Sequence, residues 1–191
     1  MNTQTRRWII LLAVIAAVLA FDQISKRLIV TSMELHESVK PIPALADVFR
    51  ITRSYNMGAA FGFLPEAGDL FMILAVVVVV AMLIFFPRIP DNARLTRLAV
   101  GLVCGGALGN ALDRVTYGHV VDFIHYRIPG VIDNVSNLAD HAIVLGVLLI
   151  LFENWRSERA EIRTRKAEQQ AGQSLDVAAP DETHPGIPSQ S

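Results

Sequence analysis

Four uncharged apolar runs divide the chain, at residues 8–21, 70–86, 98–112 and 142–152. A bilayer crossing takes about 20 residues. Only the second run approaches that length alone; the other three reach it when polar residues are admitted at one end. Those ends carry Asp22 and Lys26, then Asn110, Asp113 and Arg114, then Asn137 and Asp140. The pattern predicts an all-α integral membrane protein with four transmembrane helices, over about 8–30, 69–87, 97–115 and 138–155. The polar ends of the helices gather on one side.

Residues 31–68 form an external segment with Pro41, Pro43 and a short alternating run at 49–52, which suits a half-exposed strand. Glycines follow in NMGAAFGF, so a small external β/loop subdomain is predicted between helices 1 and 2. Within it, residues 56–63 suit a mobile flap with Phe61 and Phe63 on an apolar underside. Residues 1–155 make the membrane domain. Residues 156–191 make a tail that opens as a charged, helix-prone stretch (RSERAEIRTRKAEQQ) and ends Pro/Ser-rich and disordered.

Placing the amino terminus in the cytoplasm puts Arg6, Arg7, Arg88, Arg94, Arg97, Arg156, Arg159, Arg163, Arg165 and Lys166 inside, as the positive-inside rule favours. Both termini are then cytoplasmic and the odd polar residues face outward. Trp8 and Trp155 fit interfacial anchors at the inner boundary. Arg6, Arg7 and the small residues 17–20 also resemble a cleavable secretory signal. Asp22 and Lys26, four apart on one helical face and able to pair, favour a retained anchor. Composition agrees: 52% hydrophobic and 18% charged residues exclude an ordinary soluble domain, and a net charge of −1 gives nucleic acid no footing. Cys104 is the lone cysteine, which excludes an internal disulfide and suits a small core residue.

The candidate chemistry lies in two aspartates, Asp122 in GHVVDF and Asp140 in NLADHAIVLG, each at the outer mouth of an apolar segment. Ionisable side chains at such depths are costly and usually functional. Two close carboxylates do not both ionise easily, so the pair holds one proton between them and can do acid–base work.

Read in order, the polar clusters are DQISK (22–26), NMGAAF (56–61), GGALGNALDR (105–114), VVDF (120–123) and NLAD (137–140). This series resembles the bacterial lipoprotein signal peptidases, signal peptidase II, over roughly residues 8–155. The resemblance implies an aspartyl protease of the cytoplasmic membrane that cuts prolipoprotein signal peptides before a diacylglyceryl-modified cysteine. Lipid-modified prolipoproteins and membrane lipids are its implied partners, and no cofactor or metal is implied. The catalytic pair falls on Asp122 and Asp140, and the supporting residues on Asp22, Asn56, Asn110, Asp113, Arg114 and Asn137. Asn110, Asp113 and Arg114 share one helical face, where Arg114 can pair with Asp113. Asn56 either holds the substrate backbone or orients a carboxylate. Gly105, Gly106, Gly109 and Ala139 permit close helix approach. Two positions depart from the family pattern: Ser136 stands where an aromatic residue is usual, and His141 where a small one is. A cationic imidazole beside Asp140 would lower that carboxylate's pKa.

Two rival readings use the same residues. His119, Asp122, His125, Asp140 and His141 can supply metal ligands, but no HExxH motif accompanies them. A small proton-coupled transporter can use Asp122 and Asp140 as a relay, yet both lie near one surface and no two-half repeat is visible. Asp133, in IDNVS, is expected to form a turn.

Overall fold

The structure is a computed structural model that describes residues 1–58 and 68–178. Four helices are long and apolar enough to cross a membrane: α1 (Thr3–Ser32), α2 (Gly68–Phe85), α3 (Arg94–Tyr117) and α4 (Leu138–Ala178). The chain divides into two compact units, Met1–Leu151 and Phe152–Ser191. In the second unit α4 continues to Ala178, so the charged stretch is helical. There Arg156 pairs with Glu153 at 3.2 Å, and the Arg159 guanidinium lies 4.2 Å from the Trp155 ring centre. The disordered end expected of the tail, from residue 179 on, lies outside the described residues.

In the first unit α3 is the central helix. Of the most apolar stretch of each helix, 61% is buried in α3, against 11% in α1, 11% in α2 and 17% in α4. The other three turn broad faces of Leu, Ile, Val and Phe outward, as a lipid surround requires. Glycines let the neighbours of α3 come close, which is how helices associate where no hydrophobic gain separates protein from lipid. Gly101, Gly105 and Gly109 recur every four residues along the α1 face. A Cβ there would stand 2.7 Å from Val14 Cγ1, 2.7 Å from Val18 Cβ and 2.6 Å from Asp22 Oδ2 respectively. Gly106 faces the Ala139 backbone carbonyl of α4 in the same way. Cys104 is fully buried in the cluster with Leu11, Val79, Phe86 and Val100, the core role expected of it.

The remaining elements form one antiparallel sheet in the order β1 (Ser38–Val39), β2 (Phe49–Asn56), β3 (Val120–Ile128), β4 (Ile132–Ser136). This corrects two expectations. The protein is not all-α outside a loop region, and the subdomain is not confined between the first two helices: half of its strands come from between α3 and α4. Gly118, at φ 74°, caps α3 in the left-handed conformation and frees the chain to enter β3. Val120, Val121, Phe123 and Ile124 are buried there, and β3 is held by partners from β2 more than sixty residues earlier, such as Ser54 opposite Asp122. Asp133 is also reassigned: the turn between β3 and β4 is made by Gly130 at φ 74°, while Asp133 lies in β4 opposite Arg127.

Candidate active site

Asp122 and Asp140 arrive from different kinds of element. Asp122 sits mid-strand on β3 and is 2% exposed; Asp140 sits in the first turn of α4 and is half-buried. Asn137 links them. As the residue before α4, it closes a reciprocal cap: the Asp140 N–H donates to Asn137 Oδ1 at 3.0 Å, and the Asn137 N–H donates to Asp140 Oδ2 at 3.3 Å. Its side-chain amide then donates to Asp122 Oδ1 at 2.6 Å. One asparagine therefore touches both carboxylates, and Asp140 lies at the positive end of a helix, where an anion is favoured.

Two more amides complete the pair's surroundings. Asn56, the last residue of β2, donates to Asp122 Oδ2 at 3.0 Å, and Asn110 of α3 donates to Asp140 Oδ1 at 2.7 Å. Of the two contacts open to Asn56, the one present here is with the Asp122 carboxylate. The Asp122 carboxyl is pushed up to about 7, by burial first and then by the charge of Asp140. The hydrogen bonds from Asn56 and Asn137 pull the other way and do not prevail. At neutral pH such a pair keeps a proton that one member can give while the other accepts one.

Behind the pair lies a buried ionic cluster. Lys26 of α1 is 2% exposed and reaches Asp22 Oδ2 at 2.8 Å, Asp113 Oδ2 at 2.9 Å and Asn110 Oδ1 at 3.0 Å. Asp22 also accepts the Ala139 N–H of α4 at 3.0 Å, and Asp113 accepts the Val121 N–H of β3 at 3.0 Å. Gln23 donates to Asp22 at 3.2 Å and to Asp113 at 2.8 Å. The two carboxylates thus hook the start of α4 and the start of β3 to the α1–α3 pair, which fixes the elements carrying Asp140 and Asp122.

All eight residues predicted from the sequence fall into this one assembly, with one altered partner. Asp113 pairs with Lys26 and not with Arg114; Arg114 donates to the Gly58 carbonyl at 3.1 Å, tying α3 to the chain just after β2. Lys26 and Gln23 were missed as site residues. Their signal was polar side chains one and four residues after Asp22 in an apolar run. Phe61 and Phe63 of the expected flap lie outside the described residues.

The histidines do not converge. His119 stacks 3.9 Å from the Tyr55 ring centre, and His125 bridges Thr52 at 3.0 Å and Asp133 at 2.7 Å. Among the described residues no group of three His, Cys, Asp or Glu side chains is placed to hold a metal. His141 joins two elements. Its Nδ1 donates to the Asn137 carbonyl at 2.6 Å, and its Nε2 lies within hydrogen-bond distance of the Tyr126 hydroxyl at 3.1 Å. The imidazole therefore spans from α4 to β3, strapping together the two elements that bear the carboxylates. Loss of that strap in Tyr126→Phe is expected to slow any turnover at this carboxylate pair less than tenfold, as removal of one exposed hydrogen bond costs about 1 kcal/mol. His141→Ala should add little to it; full additivity of the two losses in turnover would show that the contact positions nothing.

A cleft of about 1010 Å³ opens beside the pair, floored by Val103 and Ala107 of α3 and walled by α2 and α4. Its lining is mostly aliphatic, with Asp140, Asn56, Asn110 and Arg114 at one end. This mostly aliphatic cleft, with Asp140 among its lining residues, has room for an extended, apolar segment.

The comparisons with known proteins agree. The family described as signal peptidase (SPase) II matches residues 14–156. The lipoprotein signal peptidase of Halothermothrix orenii is 40% identical over 146 residues, 76% of this chain and 95% of that protein. That of Geobacillus kaustophilus is 44% identical over 135 residues, 71% of this chain and 86% of that one. A bacterial membrane enzyme solved by the in meso method at 2.3 Å superposes with a TM-score of 0.69 at 33% identity, over 78% of this chain and 88% of its own. A second, at 1.9 Å, gives 0.64 at 34% identity over 75% and 90%. The fold is that of a multi-pass membrane protein, and the family match makes it a hydrolase. The chain belongs to the signal peptidase II family and is a membrane protease, and the transporter reading falls away.

Proposed function

We propose that the protein is an aspartyl endopeptidase that removes the signal peptide from prolipoproteins, cutting before a diacylglyceryl-modified cysteine. Asp122 and Asp140 are its catalytic pair. The observation that carries this reading is the shared contact with Asn137, which holds the two carboxylates in one site while Asp122 is pushed up to about 7. The partner carboxylate, Asp140, takes a proton from water, and the resulting hydroxide attacks the scissile carbonyl. The protonated one, Asp122, gives its proton to the leaving amine as the C–N bond breaks. Asn56, Asn110 and Asn137 orient the pair by direct hydrogen bonds; Asp22, Asp113 and Arg114 hold the elements that carry it.

The active site faces the external side of the cytoplasmic membrane and both termini lie inside, supported by the arginines Arg6, Arg7, Arg94 and Arg97 at the opposite ends of α1 and α3. The substrate's acyl chains stay in the bilayer while its apolar signal segment occupies the cleft. Anchoring thus removes beforehand much of the entropy of locating the scissile bond. Purified protein should cleave a lipidated prolipoprotein much faster than its unlipidated form. Equal rates on the two substrates would refute the lipid-anchored reading.

A further inference from the structure

Four polar residues line the cleft without a side-chain hydrogen bond to either carboxylate: Tyr126, Asn134, Ser136 and His141. The sheet register explains why they meet. Asn134 of β4 is the cross-strand partner of Tyr126, and Ser136 is the partner of Ile124. Directly opposed residues share a face of a sheet, as do alternate residues along one strand. The face that carries Asp122 therefore also carries Ser136, Asn134 and Tyr126, the last about 13 Å from Asp122 at ~3.3 Å per residue.

The hydrogen-bonding capacity of this wall is only partly taken up. Ser136 Oγ donates to the Ile124 carbonyl at 3.4 Å, and the Tyr126 hydroxyl and His141 Nε2 lie 3.1 Å apart. The half-buried Asn134 amide makes no side-chain hydrogen bond among the described residues. Such an amide presents two N–H donors to whatever fills the cleft. Past His141 the lining turns apolar. Val144, Leu145 and Leu148 follow it by three, four and seven positions, so they share its face of α4. All three line the cleft and all three are exposed. The wall thus joins a patch of hydrogen-bond donors to an aliphatic strip, and the strip lies on a helix apolar enough to cross a membrane. A peptide needs polar partners all along its backbone. An acyl glycerol needs them only at its ester carbonyls, with apolar contact beyond.

We infer that this wall holds the diacylglyceryl group of the substrate, with the Asn134 amide donating to an ester carbonyl and one acyl chain lying along Val144, Leu145 and Leu148. The inference rests on the substrate reading given under Proposed function and adds to it a subsite for the lipid. The reach is compatible. The path from the scissile carbonyl carbon through the cysteine thioether to the nearer ester carbonyl is roughly eight bonds, about 10 Å when extended. The sheet face from Asp122 to Tyr126 spans about 13 Å. Asn134 is a positioning residue in this scheme and takes no part in the proton transfers.

The test compares three substrates with purified full-length protein: a prolipoprotein with ester-linked chains, one with ether-linked chains of equal length, and the unlipidated form. Wild type should take the ether-linked substrate with KM raised about fivefold and kcat little changed, the scale of one lost hydrogen bond. Asn134→Leu, close in volume but without donors, should show the raised KM on both lipidated substrates and no preference between them. A melting temperature equal to that of wild type certifies the fold of the variant. The comparison of ester with ether in wild type needs no variant, so it decides the carbonyl contact whatever the substitution does to folding. Equal KM for the two linkages in wild type overturns the inference, and an undiminished ester preference in a folded Asn134→Leu overturns the assignment to Asn134. The unlipidated arm separates the two levels. Lipidated forms cut faster than the bare peptide but alike for both linkages would remove the subsite alone. All three substrates cut alike would remove the substrate reading and the subsite with it.

Discussion

Replacing Asp122 by Asn is expected to abolish cleavage while leaving a protein that is more stable than wild type at pH 8. Cleavage is lost because an amide neither holds the pair's proton nor exchanges it with Asp140. The stability change follows from linkage. Burial and the charge of Asp140 raise the Asp122 carboxyl from 3.8 to about 7, so the fold prefers the protonated form. The stability this contributes is complete below about pH 4 and is lost progressively as pH rises through 7. A gap of about three units amounts to about 4 kcal/mol at 1.36 kcal/mol per unit. Asn removes that loss at the expense of one hydrogen bond. Of the donors Asn56 and Asn137, only one can face its oxygen, and the other costs about 1 kcal/mol. Melting curves at pH 5 and pH 8 check this: wild type should lose stability between them and Asp122→Asn should stay nearly level. Near-wild-type turnover in Asp122→Asn or in Asp140→Asn would remove the pair from catalysis. A preserved pH slope in Asp122→Asn would remove the electrostatic account.

Such a trade between stability and activity explains why the site reads so clearly in the sequence while part of the fold does not. Asp22 and Lys26 announce themselves because four-residue spacing in an apolar run puts two charges where only a pair is tolerable, and the pair is there at 2.8 Å. Asn137 and Asp140 announce themselves by the three-residue spacing of a helix cap, and the reciprocal hydrogen bonds are there. These are local devices, complete within one turn of helix. The partner of Asp113 is not local: Lys26 is eighty-seven positions away, while Arg114 is adjacent, and proximity in sequence pointed to the wrong cation. The same holds for β3. Its buried positions Val120, Val121, Phe123 and Ile124 run almost without the alternation of a half-exposed strand, and its pairing with β2 depends on residues 49–56. Strand preference depends strongly on such neighbours, so a short apolar run after a helix carried no sign of the sheet it would join.

The largest structural effect should come from Lys26. Among the described residues its ammonium is the one cation within ion-pair distance of both Asp22 and Asp113, and all three side chains are essentially withdrawn from solvent. Desolvating three charges is expensive, so the cluster as a whole contributes little net stability. Breaking it is another matter. Lys26→Met leaves two carboxylates buried within the helical bundle, and loss of a buried partner costs about 3–5 kcal/mol. The damage would spread along the contacts those carboxylates make: the Ala139 N–H at the start of α4 and the Val121 N–H of β3, one residue before Asp122. The variant is expected to accumulate poorly in membranes and to melt far below wild type. Neutralising the orphaned acids should then restore the fold, so Lys26→Met combined with Asp22→Asn and Asp113→Asn should accumulate and melt near wild type. Cleavage should remain slow in the triple variant, because Asn110 has lost the Lys26 donor that holds its amide toward Asp140. Recovery of folding without recovery of turnover would assign Lys26 both tasks, fixing the bundle and aiming the amide. A single Lys26→Met variant that melts like wild type would show that the cluster holds neither α4 nor β3 in place.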